Sequence, residues 1–431
     1  MPNKKKKAGK NGPTSGSSPN DQGLGLSDEL GVNLAKAKFL YGKVENTGVP
    51  EGYKPVPFHG REVSYAEDHP DAAVTYTTLP ATFIGDTPDP QGHTEWIVLG
   101  NTKKKILATP RFPRPIPRPL GEKPLHVIRE VPGMGLGVFA TRDIRVGEVI
   151  FAERPFLIAP RNLSFVPASY KDHYTVHQCK QIQLFEWEAT LKTAVDRMED
   201  DAKEGFMQLA NSHKEDGSGP IGGIFRTNAF ALGGLVDGPV GTKITDYNGY
   251  AAIARDGSRI NHSCLPNTRT IFDIPSFSIQ FLATKNIKAG DELFYAYCIL
   301  LDPAATRQET LAPYGIVCAC PACVNATPES ELFRRTVTEL LASLNSEVEQ
   351  WVAKPVPASF VARVLGREAI LARVLTFQKQ MIEEGLDAND NYGTMLMILH
   401  KVYNHVGKIH RAARTFQDML RYLAMARLEK E

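Results

Sequence analysis

The sequence predicts an α+β protein in which short, glycine-punctuated strands are interrupted by a helical insert and followed by an all-helical end. Three observations carry this. From Leu125 to Ile158 the apolar residues fall in short β-like runs between glycine turns; from Gln183 to Asn211 they recur at helical spacing; from Ser330 onward helical stripes return. At 431 residues, 42% of them hydrophobic and 23% charged, the chain holds enough apolar material for two or three cored domains.

Taken in order, the first segment is a basic tail. Lys4, Lys5, Lys6, Lys7 and Lys10 are followed by a stretch rich in Gly, Ser and Pro, a composition that cannot bury a core and is expected to be disordered. The whole chain is nonetheless balanced, with 50 basic and 48 acidic residues, so direct nucleic-acid binding is not expected outside this tail. Between Val49 and Lys105 lie β-like runs such as Ala73 to Thr78 and Trp96 to Gly100, to which composition assigns no function. Pro110 to Pro119 alternates Pro with Arg, which forces an extended linker or surface strap. Strands follow at Val127 to Arg129, Val138 to Ala140 and Val149 to Phe151. The helical insert carries Leu184, Leu191, Val195, Met198, Ala202, Phe206 and Leu209 on one stripe, as a helix pair or one long helix. Strands resume at Ile279 to Leu282 and Glu292 to Ile299. The C-terminal helices carry two stripes, Phe333, Val337, Leu340, Leu344 and Val348, then Ile409, Ala413, Phe416, Leu420 and Leu423.

No apolar segment follows the N-terminal lysines and no run reaches the roughly 18 apolar residues of a membrane span, so a non-secreted, non-membrane protein of the nucleus or cytoplasm is expected. In such a reducing compartment the six cysteines do not suggest disulfides. Cys318, Cys320 and Cys323 instead supply three thiolates on one proline-containing turn, the spacing of a structural zinc site. A fourth ligand is required, and Cys264, Cys179, Cys298 or a histidine can provide it. His173, His177 and Cys179 are spaced like partial ligands but have no fourth partner nearby, and are read as ordinary residues.

The run Asn261-His262-Ser263-Cys264 resembles the core motif of SET-domain protein lysine methyltransferases. The other elements of that family follow in its order. Gly133-Met134-Gly135-Leu136-Gly137 is similar to the glycine-rich opening turn, and Gly290 to Tyr297 to the strand that ends in the family's tyrosine. The cysteine triplet then resembles the post-SET zinc motif. The resemblance covers roughly Leu125 to Val324, and its nearest branch is the split SET proteins of the SET-and-MYND group and their fungal relatives. A MYND zinc module is not expected, because only Cys179 and Cys298 remain once the post-SET cysteines are assigned.

The resemblance implies a SET-type β-clip fold of short sheets with a helical insert, a post-SET zinc site and a C-terminal α-helical domain. It implies these boundaries: a tail over 1–27, an N-terminal region over 28–120, a SET domain over 121–300 with its insert at about 165–220, a zinc segment over 301–326 and helices over 327–431. It implies S-adenosyl-L-methionine held by Gly133, Met134, Gly135, Leu136, Gly137, Asn228, Asn261 and His262. In this reading Asn261 and His262 offer amide and imidazole groups to the cofactor. Structural Zn2+ is implied at Cys264, Cys318, Cys320 and Cys323, and catalytic roles for Tyr297 and Tyr295. Tyr297 orients the lysine amine, while Tyr295 restricts the product to monomethyl-lysine. Two residues before Cys318, where the group often has phenylalanine, this chain has Ile316. The implied activity is methyl transfer to a lysine of a protein substrate, histone or non-histone, with chromatin or ribosomal and translation proteins as the classes of partner. The competing expectation is an inactive SET scaffold acting as an adaptor.

Overall fold

The computed structural model describes residues 49–55, 61–62, 70–80, 89, 91–119, 123–161, 172–238, 242–243, 248–354 and 360–428. The basic tail expected over 1–27 and the first residues of the insert, 165–171, lie outside them.

In chain order, strands β1 (Arg61–Glu62), β2 (Val74–Leu79) and β3 (Thr94–Leu99) lead into helix α1 (Gly100–Leu107). Then come β4 (His126–Val131), β5 (Gly135–Ala140), β6 (Val149–Glu153) and β7 (Leu157–Pro160). The insert forms α2 (Val176–Val195), α3 (Asp200–Met207) and α4 (Pro220–Asn228), and hands over to β8 (Ala229–Val236) and β9 (Gly249–Ile253). Strands β10 (Asn261–His262), β11 (Thr268–Asp273), β12 (Ser278–Ala283) and β13 (Phe294–Tyr295) complete the β part. Helices α5 (Ala304–Leu311), α6 (Pro321–Val324), α7 (Pro328–Ala353), α8 (Phe360–Glu383), α9 (Asn391–His405) and α10 (Ile409–Leu428) follow.

Four small sheets result: β1-β2-β3-β7-β9-β8, β11-β12-β6, and the pairs β4-β5 and β10-β13. The region over 28–120 contributes strands to the largest one: β3 pairs in parallel with β7 (Trp96 opposite Ile158), and β7 runs antiparallel to β9 (Ile158 opposite Ala252). The alternation of side chains across a strand gives this sheet two buried faces. Trp96, Val98, Ile158 and Ala252 pack into a core with Phe151, Phe277 and Phe281. Ile97, Leu157, Ala159, Ala251 and Ile253 pack on the other side against Trp187, Leu191 and Phe225 of the insert. The N-terminal strands are therefore part of the same folded body. The Pro-rich strap is pinned as well: Ile116 is buried, and Arg114 pairs with Asp273 of β11.

The insert is a helix pair followed by a third helix. Thr175 opens α2 with a capping box, its hydroxyl accepting from Gln178 N and the Gln178 side chain accepting from Thr175 N. The stripe ends on a break after Val195 and restarts in α3.

At the C-terminal end the stripe of α7 differs by one position. Leu341 is buried, whereas Leu340 is 40% exposed, because the neighbouring helices meet α7 along Phe333, Val337, Leu341, Leu344 and Val348. On α10 the expected stripe faces outward: Ile409, Phe416, Leu420 and Leu423 are exposed, while Ala412, Thr415 and Tyr422 are buried. The small Ala412 lets α10 approach α9 closely, and Tyr422 reaches back to donate to Asn389 O.

Candidate active site and cysteine cluster

Strand β10 is the junction of the site. Its two residues pair with β13, Asn261 opposite Phe294 and His262 opposite Tyr295, so the Asn-His motif lies beside the tyrosine-bearing strand. Asn261 turns toward the glycine turn and donates its side-chain amide to Leu136 O at 3.1 Å and to Glu292 Oε1 at 2.8 Å. Gly137 must be glycine for this approach: a Cβ there would stand 2.6 Å from Glu292 Oε1 and 3.2 Å from Asn261 Nδ2. Gly133 and Gly135 have φ of +77° and +78°, and a Cβ on either meets nothing within 4 Å. The turn thus opens onto free space with bare backbone, a cradle suited to a bound cofactor.

Around β8 and β13 lies a cleft. Asn228, Phe230, Tyr295, Tyr297, Tyr314 and Arg161 are among its lining residues. The four rings form a continuous row, with centroids 5.5 Å apart for Phe230 and Tyr295, 6.3 Å for Tyr295 and Tyr297, and 5.2 Å for Tyr297 and Tyr314. Asn228 stands where α4 ends, its amide donating to Ala210 O at 2.7 Å and Ile224 O at 2.8 Å. Tyr297 donates its hydroxyl hydrogen to Ile260 O at 2.5 Å, which leaves its oxygen an acceptor at the cleft. Burial, with the nearby phenols of Tyr314 and Tyr295 adding to it, holds that hydroxyl above the ordinary tyrosine range, so it is neutral.

Behind the cleft are the cysteines. The sulfurs of Cys264, Cys318, Cys320 and Cys323 all lie within 4.8 Å of one another. Cys264 is 4.0 Å from Cys318 and 3.5 Å from Cys323. A tetrahedron of thiolates around zinc at ~2.3 Å has edges of ~3.8 Å, so this donor set fits the metal. Of the candidates for the fourth ligand, Cys264 is the one brought to the triplet. Cys179 is buried on α2 beside Tyr53 and Ile182. Cys298 lies 3.9 Å from Cys264, grouped with His262 rather than with the triplet.

The His262 ring is buried, and both its nitrogens are engaged within the protein. Nδ1 accepts from Tyr297 N at 2.9 Å, so the ring proton is on Nε2, which faces Cys264 Sγ at 3.3 Å and donates to it. His262 therefore joins the cysteine cluster to the backbone of Tyr297.

Sequence reasoning missed Glu292, although it lies inside the quoted Gly290 to Tyr297 run; a carboxylate beside an Asn motif was the available signal. It also missed Phe230 and Tyr314, which enter the cleft from separate segments. Ile316 is half-buried, and its carbonyl accepts from Gln308 Nε2.

Residues 135–298 match the SET domain family, and this part of the chain is a SET domain. The chain is similar to the histone-lysine N-methyltransferase set5 of Schizosaccharomyces pombe, 26% identical over 203 residues, which is 47% of this chain and 51% of that protein. It is also similar to human histone-lysine N-methyltransferase SMYD3, 24% identical over 145 residues, covering 32% of this chain and 33% of that one. The chain thus spans about half the length of the first of these relatives, and a third of the second. Among solved structures, the SET domain of LSMT bound to lysine and AdoHcy is matched over 70% of this chain and 89% of that chain, at 12% identity and a TM-score of 0.27.

Proposed function

We propose that the protein transfers a methyl group from S-adenosyl-L-methionine to a lysine side chain of a protein substrate, and that a zinc ion at the four cysteines braces the site. The observation that carries this reading is Tyr297: a neutral phenol whose hydrogen is committed to Ile260 O and whose oxygen faces an aromatic-walled cleft shared with Asn228.

The cofactor, when bound, supplies a methyl on a positively charged sulfur. The chain's own residues do the rest by placement. The open backbone of Gly133 to Gly135, Leu136 and the Asn261 amide would hold the cofactor, with Met134 exposed at the turn. Phe230, Tyr295 and Tyr314 exclude water from the lysine, which favours its neutral, nucleophilic amine. The Tyr297 oxygen accepts a hydrogen bond from that amine and fixes its direction toward the methyl; alignment of this kind is worth several orders of magnitude in rate. Zinc would be held by Cys264, Cys318, Cys320 and Cys323, binding the segment after α5 to the strand that carries Asn261 and His262.

The substrate is proposed only as a lysine-bearing protein, histone or not, in nucleus or cytoplasm. The adaptor reading has no observation in its favour, since the acceptor at Tyr297 and the glycine cradle are both in place. Labelled cofactor with cell extract and purified protein tests the proposal. Labelling of a protein lysine that is abolished by Tyr297→Phe supports it. No labelling, together with no cofactor binding by calorimetry, would leave the adaptor. Metal analysis tests zinc independently: one equivalent is expected, and its retention at full content in Cys264→Ser would rule the ligand set out.

A further inference from the structure

Two side chains point hydrogen-bond donors into the cysteine cluster. One is His262. The other is Arg307 on α5, which belongs to no motif singled out above. Its side chain is fully buried, with a residue exposure of 0%. Nη1 donates to Asp302 O at 2.5 Å, and Nη2 to Ala322 O at 3.1 Å and to Cys323 Sγ at 3.5 Å. Nε has no partner.

A guanidinium keeps its charge in any folded protein, and burying it is costly unless an opposite charge is close. Among the described residues no carboxylate lies within ion-pair distance of Arg307. The comparison with Arg334 sharpens the point. That residue is 1% exposed and also donates to carbonyls, of Leu300 and Glu384, but it is paired with the Glu384 carboxylate at 2.6 Å. Arg307 has only carbonyls and a cysteine sulfur. Neutral thiols would leave its charge uncompensated. Four thiolates around a divalent metal carry an excess of two negative charges, and Arg307 sits against one of those sulfurs.

We propose that Arg307 is the counter-charge and positioning residue of the metal site. Its guanidinium offsets the excess negative charge of the metal-thiolate cluster. Its fork ties Cys323 and the carbonyl of Ala322 to Asp302, which fixes the α6 turn that presents the ligand. This inference rests on the zinc reading above.

The test uses the full chain and zinc itself. Zinc affinity is measured by competition with a chromogenic chelator for wild type, Arg307→Gln, Arg307→Lys and Arg334→Gln. Arg307→Gln is expected to lower affinity about 10- to 100-fold, the range for losing a partner that orients a metal ligand. Arg307→Lys keeps the charge but loses the fork, and should fall between. Arg334→Gln is the comparator for a buried arginine that has its own carboxylate partner and donates to no cysteine: it should lower thermal stability and change zinc affinity far less than Arg307→Gln. With cobalt in place of zinc, the thiolate-to-metal absorption band should shift in Arg307→Lys and stay in place in Arg334→Gln, a readout independent of activity. Should Arg307→Gln fail to fold, the lysine variant carries the test through zinc release and this band. Wild-type affinity and an unmoved band in Arg307→Lys would overturn the proposal while leaving the zinc site standing. A wild type that binds no zinc would overturn both.

Discussion

His262 allows its two hydrogen bonds to be removed one at a time. In His262→Asn the side-chain oxygen can take the place of Nδ1 and accept from Tyr297 N, but nothing reaches Cys264. In His262→Gln the terminal amide can take the place of Nε2 and donate to Cys264, but the Tyr297 N–H is left without an acceptor. The ring is 8% exposed, so neither lost bond is replaced by bulk water. Orphaning the Tyr297 N–H costs ~1–3 kcal/mol. If ~2 kcal/mol of that appears as misplacement of the Tyr297 hydroxyl, turnover falls ~30-fold. Losing the donor to a thiolate costs ~1.5–3 kcal/mol, about 10- to 100-fold in metal affinity. Steady-state methyl transfer on zinc-loaded protein and chelator competition are the two assays. The Asn variant should lose zinc affinity and keep most of its turnover; the Gln variant should do the reverse. Parallel loss of both properties in both variants would refute the relay and leave His262 a packing residue.

Three further outcomes follow from the same geometry. Gly137→Ala places a methyl 2.6 Å from Glu292 Oε1, which must swing away from Asn261; a stability loss of ~1–3 kcal/mol in urea is expected, with weaker cofactor binding by calorimetry. Tyr295→Phe removes a hydroxyl from the cleft wall and should shift the product from monomethyl- toward dimethyl-lysine by mass spectrometry; an unchanged product would count against a steric role. Glu153 accepts from the backbone N–H groups of Asp256 at 3.0 Å and Gly257 at 2.8 Å. Burial, helped by the Asp256 charge, raises its carboxyl from the usual 4.5 to about 7. The folded state therefore holds this proton more tightly, and its contribution is fully present below pH 4.5 and lost as pH rises through 7. The loss is at most ~3 kcal/mol, since the side chain is half-buried and partly screened. The stability of wild type relative to Glu153→Gln should fall between pH 5 and pH 8, and a difference independent of pH would disprove the assignment.

Much of the chemistry was legible because it is local in sequence. Three cysteines in six residues remain near one another in almost any backbone, and Asn261, His262 and Cys264 share one short strand and turn. The helical stripes of α2 and α3 were legible for a related reason: their burial is decided by one face against one sheet. Other features were decided only when distant segments met. β2 and β3 joined the SET sheet because both faces of β3 had apolar partners, one in the strand core and one in the insert helices. Phe230 and Glu292 met their partners, Tyr295 and Asn261, across distant segments, which periodicity and spacing do not encode. The same cause turned α10 around. Its most apolar stripe is exposed, while Ala412, Thr415 and Tyr422 are the residues buried on the face that packs. His262 illustrates the division most sharply: the motif placed the residue at the site, but the partners of its two nitrogens, and so its work, were settled by how β10, β13 and the cysteine turn came together.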